Sequence, residues 1–358
     1  MTRTTVAIIG AGLAGLNAAR LLHRAGVDFQ LFEARDRAGG RILTVDASGV
    51  PAEDGFDLGP SWFWPQMQPG IGDLVAALGL PSFAQHSTGD FVFERRRGES
   101  PHCMPGMAQE PPSMRLVGGT AALVRALLRD LPQAALQFGT PVTALRLGHA
   151  GVEVTAGGQR LEARHVIVAM PPRLLAEKVA LHPAPRPQDL ARWKATATWM
   201  APHAKVMVLY DRPFWREAGF SGMAQSLVGP LAEIHDATTA SGKAALFGFA
   251  AVPATHRATI GEDALTRAVI QQVTRLFGPE AAAPRATLVM DWAADPWTAT
   301  VADRTPTGHP APWPGNWVTG DWAGRLIMAG SETSPVEPGY LTGAVEASEL
   351  AVARVLGL

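Results

Sequence analysis

The stretch TTVAIIGAGLAGLNAARLLHRAG, residues 4–26, decides the fold class of this chain. It begins with an apolar run at residues 6–9, which is typical of a buried parallel strand. Three glycines follow with the spacing G-x-G-x-x-G, at Gly10, Gly12 and Gly15. Apolar residues then recur at helical spacing, at Leu13, Leu16, Ala19 and Leu22, before a helix stop at Gly26. The pattern predicts a strand, a glycine turn and a helix in that order.

A second strand pattern, VDFQLFEAR at residues 27–35, contains the acid Glu33. Close approach to a dinucleotide explains the arrangement: Gly10 permits a tight turn, Gly12 lets a pyrophosphate near the backbone, and Gly15 lets the helix pack on the sheet. The phosphates would lie at the helix N-terminus, and Glu33 would bond the ribose hydroxyls. The pattern predicts a dinucleotide site, with an ordinary glycine turn in an α/β protein as the alternative. These residues alone allow NAD as well as FAD.

The residues that follow narrow the choice of cofactor. Residues 33–41 read E-A-R-x-R-x-G-G-R, which resembles the flavin-containing amine oxidases, whose cofactor is FAD. The resemblance implies cofactor contacts from Ala34, Arg35, Gly39, Gly40 and Arg41. We therefore expect FAD in the predicted dinucleotide site.

The resemblance continues along almost the whole chain as motifs in family order. DLGPSWFWP at 57–65 resembles the segment beside the flavin, although Pro60 replaces the usual second glycine. Residues 140–175 and 325–352 resemble the second and the closing FAD-binding segments. We expect a helix that begins near Tyr340 to point its N-terminal amides at the flavin. The further cofactor contacts implied by the resemblance are Gly59, Pro60, Ser61, Trp62, Val142, Trp292, Gly330, Ser331, Glu332, Gly339, Tyr340 and Leu341.

A lysine stands in the apolar run HAKVMVLYDRPFW, residues 203–215. If this run is a strand, Lys205, Met207 and Leu209 point to the same face. A lysine on an apolar face is costly to bury, and the alternative is a side chain that snorkels to the surface. The resemblance implies that Lys205 holds a water near the flavin and assists the reaction with oxygen. It also implies that Tyr340 orients the substrate.

Two departures from the family pattern concern the substrate wall and the cofactor linkage. The family often frames the amine between two aromatic rings, and the position of the second ring falls near Ala302. We expect a tryptophan to supply that wall, and the candidates, each of which could instead be packing, are Trp292, Trp297, Trp317 and Trp322. Some relatives attach FAD through a cysteine at the position of Val301. The single cysteine, Cys103, lies far away in sequence, so we expect non-covalent FAD.

The motifs divide the chain into two units. We predict an α/β fold with a Rossmann-like FAD-binding domain, a parallel sheet with helices, and a smaller α+β substrate domain built from inserted segments. The FAD-binding domain would be discontinuous, formed by residues 1–78, 115–195 and 300–358. The substrate domain would take residues 79–114 and 196–299.

Composition limits the function classes. The net charge is −1, which argues against a polyanionic partner such as nucleic acid. The ten histidines lack metal-ligand spacing, so we expect no metal. One cysteine, no signal-peptide layout and no long apolar run suggest a cytoplasmic protein without a membrane anchor. The oligomeric state cannot be read.

The resemblance implies an FAD-dependent, monoamine oxidase-like oxidoreductase that takes a small-molecule amine. Hydride transfer to flavin N5 would give an imine, which water would convert to an aldehyde or ketone and ammonia. Oxygen would reoxidise the flavin and form hydrogen peroxide. The alternatives are an FAD-dependent desaturase or dehydrogenase on a non-amine substrate, and a non-catalytic FAD-binding protein.

Overall fold

The computed structural model describes residues 2–106, 109–305 and 308–357. The strands, in chain order, are β1 (Thr2–Ile9), β2 (Phe29–Phe32), β3 (Thr44–Val45), β4 (Phe56–Asp57), β5 (Ser82–Ala84), β6 (Asp90–Glu94), β7 (His102–Met104), β8 (Met114–Leu116), β9 (Leu136–Gln137), β10 (Val142–Leu147), β11 (Val152–Ala156), β12 (Gln159–Val168), β13 (Ala180–His182), β14 (Ala204–Tyr210), β15 (Phe220–Ser226), β16 (Leu231–Asp236), β17 (Ala244–Ala250), β18 (Ala286–Asp291) and β19 (Leu326–Met328). The helices are α1 (Leu13–Arg24), α2 (Pro69–Ala77), α3 (Ala121–Arg129), α4 (Pro172–Lys178), α5 (Pro187–Ala195), α6 (Phe214–Glu217), α7 (Ala254–Ile260), α8 (Glu262–Phe277) and α9 (Leu341–Leu356).

The predicted Rossmann-like sheet is present. Its strand order is β13-β10-β11-β12-β1-β2-β9, and β19 pairs with β12. β1 runs parallel to both β2 and β12, and α1 provides the crossover that joins β1 to β2. β10, β11 and β12 form an antiparallel meander. The central strand β1 ends in four fully or nearly fully buried residues, as a strand covered on both faces requires.

Helix α1 follows β1 as the glycine pattern predicts. It begins after Gly12 and ends at Arg24, and Gly26 takes a positive φ of 70° that lets the chain leave the helix. Its buried face packs against β1 and α9, with Leu16 and Leu22 fully buried. A buried hydrogen bond from Asn17 to Ser348, 2.9 Å, joins α1 to α9. Helix α9 therefore closes over the start of the fold, although it lies at the other end of the chain.

The second sheet has the order β18-β14-β17-β16-β15-β6-β7. Most of its neighbours are antiparallel, and helix α8 packs its apolar stripe on one face. β14 lies inside this sheet, and all seven of its residues are buried. Mixed sheets with helices confirm the predicted fold class. The domain limits given above remain a prediction.

Two side chains join the second sheet to segments outside both large sheets. The Arg115 guanidinium, on β8, donates to the carbonyls of Ala237 and Thr238, which follow β16, at 3.1 and 2.9 Å. The Trp292 indole, after β18, donates to the carbonyl of Leu58, after β4, at 3.2 Å. A cavity lies between the two large sheets, with residues of both in its lining.

Candidate active site

The cavity opens at the carboxyl ends of β1 and β2, where ligands of parallel α/β sheets bind. Its volume is about 390 Å³. One side is formed by the glycine turn and the segment around Gly40, and the other by side chains of β14 and β17. A ligand in this cavity would therefore contact both sheets.

The three glycines of the first motif have different surroundings. A Cβ on Gly10 would lie 2.8 Å from the carbonyl oxygen of Ala169, and the residue has a φ of 101°. A Cβ on Gly15 would collide with the carbonyl of Gly10, where α1 packs on the turn. A Cβ on Gly12 would meet no atom within 4 Å and would instead project into open space. Gly12 lines the cavity at the N-terminus of α1, so a phosphate could approach the backbone there.

Glu33 is anchored beside this turn. Its carboxylate accepts hydrogen bonds from the backbone N–H groups of Ala11 and Arg35, at 2.7 and 2.9 Å. The residue is 4% exposed and lines the cavity. A carboxylate oxygen has room for a second donor, so Glu33 can still accept a ribose hydroxyl. The Glu33 carboxylate, as an acceptor for a ribose hydroxyl, and the open space at Gly12 fit the predicted dinucleotide.

Arg41 lies in the lining but is already paired. Its guanidinium binds both carboxylate oxygens of Glu332, at 2.6 and 3.2 Å, and donates to the Ser331 hydroxyl at 3.0 Å. The same guanidinium donates to the carbonyl of Trp199, and Glu332 accepts the Trp199 N–H at 3.3 Å. This ion pair thus fixes the backbone of Trp199, a residue that the sequence analysis did not select.

Lys205 is fully buried, which excludes the snorkelling alternative. The residue is 2% exposed, and its ammonium donates to the Gly59 carbonyl at 2.9 Å and to the Ser61 hydroxyl at 2.7 Å. The ammonium also lies 4.2 Å from the centre of the Phe247 ring. Burial lowers the pKa of Lys205 to about 7, an effect that nearby Asp57 opposes and Arg115 adds to. The protein itself therefore supplies hydrogen-bond and aromatic partners for the ammonium of this lysine.

The aromatic groups around Tyr340 differ from the expectation. Tyr340 lines the cavity, and the ring nearest to it in the lining is Trp199, 6.4 Å away between centroids. His309 lies against both rings, 4.4 Å from Trp199 and 4.8 Å from Tyr340. The missed residue, Trp199, precedes Lys205 by a short loop. Its position depends on Arg41 and Glu332, which are distant in sequence, so no local pattern marked it.

The four tryptophan candidates for the second wall separate into two pairs. Trp292 and Trp297 line the cavity. Trp317 and Trp322 belong to the core beneath β10 to β12, so these two tryptophans are packing residues rather than a wall of the cavity. Phe247 and Phe249, which the sequence analysis also missed, line the cavity from β17. Their only signal was a position in an apolar strand.

Most of the predicted site residues meet at this one cavity. The lining includes Gly10, Gly12, Glu33, Ala34, Arg35, Gly39, Gly40, Arg41, Gly59, Pro60, Ser61, Trp62, Val142, Lys205, Trp292, Ser331, Gly339, Tyr340 and Leu341. Three predicted contacts lie outside it. Gly15 packs under the turn, Gly330 abuts the Met170 carbonyl, and Glu332 lies behind Arg41. These three residues lie behind the cavity lining.

Comparison with known proteins decides the family. The family model described as flavin containing amine oxidoreductase matches residues 13–101 and 75–356. The chain belongs to this flavin-containing amine oxidoreductase family. A Mycobacterium tuberculosis protein named flavin-containing monoamine oxidase AofH is 29% identical, and the alignment covers 99% of this chain and 96% of that protein.

Solved structures show the same fold. A putrescine oxidase matches with a TM-score of 0.82 at 20% identity, covering 99% of each chain. Cyclohexylamine oxidase from Brevibacterium oxydans matches with a TM-score of 0.81 at 21% identity, again covering 99% of each chain. Membership of the flavin-containing amine oxidoreductase family, rather than the fold, makes the chain an FAD-dependent oxidoreductase of the amine oxidase type, with FAD as its cofactor.

The site also accounts for how this amine oxidase holds its cofactor. Gly12 and the α1 N-terminus would receive the pyrophosphate, Glu33 a ribose, and the α9 N-terminus after Tyr340 the polar edge of the ring. Within the described residues, no cysteine lines the cavity, and Cys103 is exposed on β7. The same residues contain no group of three potential metal ligands. No described helix has the length and apolarity needed to span a bilayer.

Proposed function

We propose that this amine oxidase oxidises a primary monoamine whose carbon body is apolar or aromatic. The proposal rests on which charged side chains line the cavity. Glu33 is the only carboxylate among the described lining residues, and it lies in the nucleotide cradle. A diamine would bring a second ammonium that finds no carboxylate partner, and a buried unpaired charge is costly.

The two arginines of the lining argue against an amino acid substrate. Arg41 is paired with Glu332, and Arg35 donates to Asp295 at 2.7 Å and to Thr298 at 2.9 Å. A substrate carboxylate would have to displace one of these partners to gain an arginine.

The two lysines of the lining are also engaged, Lys205 with Gly59 and Ser61, and Lys178 with the Glu177 carboxylate at 3.5 Å. The lining therefore favours a substrate with one charge, that of its amine.

The part of the cavity near Lys205 is aromatic. Trp62 and Phe247 lie 5.2 Å apart between centroids, and Phe249 lies 5.8 Å from Phe247. All three line the cavity, and the Trp62 indole is fixed by a 2.8 Å hydrogen bond to Gln85. Flat apolar groups pack well against such rings. This wall supports an apolar or aromatic substrate body.

The chain's own residues have distinct proposed tasks. When bound, FAD supplies a two-electron acceptor for the amine's α C–H bond. The aromatic lining favours the neutral form of the amine, since burial penalises its ammonium. Tyr340 orients the substrate, and Lys205 in its protonated form stabilises the negative charge that develops when dioxygen is reduced. Water hydrolyses the product imine to an aldehyde and ammonia. Dioxygen takes up the two electrons removed from the amine together with two protons and leaves as hydrogen peroxide.

The proposal includes the division of the chain and its compartment. Residues 1–78, 115–195 and 300–358 would bind FAD, and residues 79–114 and 196–299 would supply the Lys205 side of the substrate cavity. A single exposed thiol, Cys103, suits a reducing compartment such as the cytoplasm.

Anaerobic reduction of the flavin tests the substrate class. The purified enzyme is mixed with benzylamine, putrescine or L-phenylalanine, and the bleaching rate of the visible flavin band is measured. We expect benzylamine to bleach the flavin at least ~10-fold faster than putrescine or L-phenylalanine. Each of these two compounds carries a second charged group that would be buried without a partner. Peroxide formation on admitting air tests the acceptor. Faster bleaching by putrescine or L-phenylalanine would contradict the proposal, and no bleaching by any amine would favour the desaturase or non-catalytic alternative.

A further inference from the structure

His203 is a titratable group in the cavity for which the proposed reaction gives no task. It directly precedes β14, two residues before Lys205, and lines the same cavity. Its N–H donates to Met200 and its carbonyl accepts from Trp292, so the backbone is held on both sides. The imidazole hydrogen-bonds to no other described residue. A cavity-facing ring on a fixed backbone is free to bond a ligand.

The neighbours of His203 keep its ring uncharged. The imidazole is half-buried, with the Trp199 ring 6.3 Å away. The Arg257 guanidinium lies next to it, donating to the Pro202 carbonyl at 2.9 Å and forming two hydrogen bonds with Asp291. Burial, and then the charge of Arg257, lower the pKa of His203. The ring is therefore neutral at neutral pH and can accept a proton.

A primary amine needs such an acceptor. The pKa of an alkylammonium is about 10, so only about one molecule in a thousand is neutral at pH 7. Only the neutral amine can lose its α hydride, because the ammonium has no nitrogen lone pair to form the C=N bond. An enzyme that binds the abundant ammonium must remove one proton inside the cavity.

We propose that His203 accepts this proton from the bound substrate ammonium. One N–H bond of the ammonium breaks, one N–H bond forms on the imidazole, and no electrons are transferred in the step. The charge moves from substrate to His203, and the proton returns to water after the product leaves. This assignment rests on the proposed oxidation of a primary amine.

The other titratable groups near His203 are less suited. Lys205 directs its amino group to Gly59 and Ser61. Tyr340 has a neutral phenol oxygen, a far weaker base than an imidazole. Arg257 and Asp291 are paired with each other, and they and His309 lie outside the cavity lining. His203 is thus the histidine of the described lining, and its ring has no hydrogen-bond partner among the described residues.

The test is the pH dependence of anaerobic flavin reduction by benzylamine in the FAD-loaded enzyme. In the native enzyme the rate should rise with pH, with an apparent pKa below the ordinary histidine value. In His203→Gln the apparent pKa should move toward that of the free amine, about 9 to 10. The variant should be ~10- to 100-fold slower at pH 7.5 and within ~3-fold of native at pH 10, as expected when a general base is removed. His165→Gln, a half-buried histidine outside the cavity, should keep the native profile.

A second measurement observes the imidazole directly. NMR of histidine-labelled protein, with His203→Gln used to assign the signal, should show that this ring titrates below the usual histidine range. Addition of benzylamine to the anaerobic, pre-reduced enzyme at pH 7 should shift the signal toward the protonated form.

Three results would overturn the assignment. Equal slowing of His203→Gln at every pH would indicate a structural role. An unchanged profile would show that no proton passes to His203, and a shifted profile in Lys205→Gln alone would transfer the role to that lysine. If benzylamine and other amines fail to reduce even the native enzyme at any pH, the proposed function itself fails, a result distinguishable from the other three.

Discussion

Lys205 places an ammonium group in a wall of aromatic side chains, which costs stability whenever the group is charged. Its two hydrogen bonds and the Phe247 ring offset part of the desolvation, but burial still lowers its pKa from 10.5 to about 7. Between these two values the unfolded chain binds a proton that the folded chain does not. Unfolding is then linked to proton uptake, so the free energy of unfolding rises with pH across this window.

Lys205→Met should remove that dependence. Through the window from about pH 7 to about pH 10, the native free energy of unfolding should rise by up to ~1.4 kcal/mol per pH unit more than that of the variant. Below pH 7 both states of Lys205 are protonated and the difference should be constant. Urea unfolding of the cofactor-free proteins at a series of pH values measures this. Lys194→Met, at an exposed lysine, is the control, and parallel curves for the native protein and Lys205→Met would refute the argument.

A second residue-scale prediction concerns Glu33. Glu33→Gln keeps one carbonyl oxygen but turns an N–H group toward a backbone donor, either Ala11 or Arg35. Loss of a charged hydrogen bond of this kind costs about 1.5 to 3 kcal/mol, so FAD should bind roughly 10- to 100-fold more weakly. FAD titration of the apoprotein measures the affinity. Glu162→Gln, at a surface pair with Arg3, should bind FAD normally, and normal binding by Glu33→Gln would remove its ribose role.

Residues of the site were predictable where chemistry imposes a local spacing, and not elsewhere. The glycines, Glu33 and Lys205 belong to contiguous motifs, so the sequence marks them before any fold is known. Trp199 and His203 reach the cavity because a loop is held by Arg41, Glu332 and neighbouring backbone groups that are distant in sequence. Long-range contacts of this kind leave no periodic signal, so Trp199 and His203 could not be placed at the cavity from sequence, whereas Trp62 and Trp292 could.

At the scale of elements, the glycine motif that joins β1 to α1 contains one glycine required for packing, Gly15, and one that leaves space for a ligand, Gly12. A Cβ on Gly15 would meet the Gly10 carbonyl and push α1 away from the sheet, whereas a Cβ on Gly12 would enter open space. Gly12 also has an ordinary negative φ of −71°, so alanine can adopt its backbone conformation.

We therefore expect opposite effects from two alanine substitutions. Gly15→Ala should destabilise the protein by about 1 to 3 kcal/mol, as overpacking does. Gly12→Ala should fold with near-native stability but bind FAD at least ~10-fold more weakly, because its methyl group would occupy the space that a pyrophosphate needs. Thermal unfolding of the apoproteins and FAD titration separate the two effects. Equal stability loss in both variants would show that Gly12 is also structural.

For the whole molecule, the presence of a parallel sheet was easier to predict than which strands pair to form the second sheet. The apolar run of β1, the helical period of α1 and the strand pattern at residues 27–35 indicated the parallel sheet locally. The pairing of β6 with β15 joins segments more than a hundred residues apart, and β7 then pairs with β6. This pairing follows from packing that only the complete chain defines. The cavity lies where the two sheets meet, so its position also depends on the packing of the complete chain.

The position of the cavity predicts that FAD stabilises both sheets together. Its lining takes Gly10 and Gly12 from the first sheet's turn and Lys205 and Phe247 from the second sheet. A ligand that binds only the folded chain adds about 4 kcal/mol at a thousandfold excess over its Kd. Hydrogen exchange with and without FAD should therefore show slower exchange in β1 and β14 alike, and Gly12→Ala at the same FAD concentration should show less protection in both strands. Protection confined to β1 would mean that the second sheet does not contribute to the FAD site, and the substrate side of the cavity would then need to be placed elsewhere.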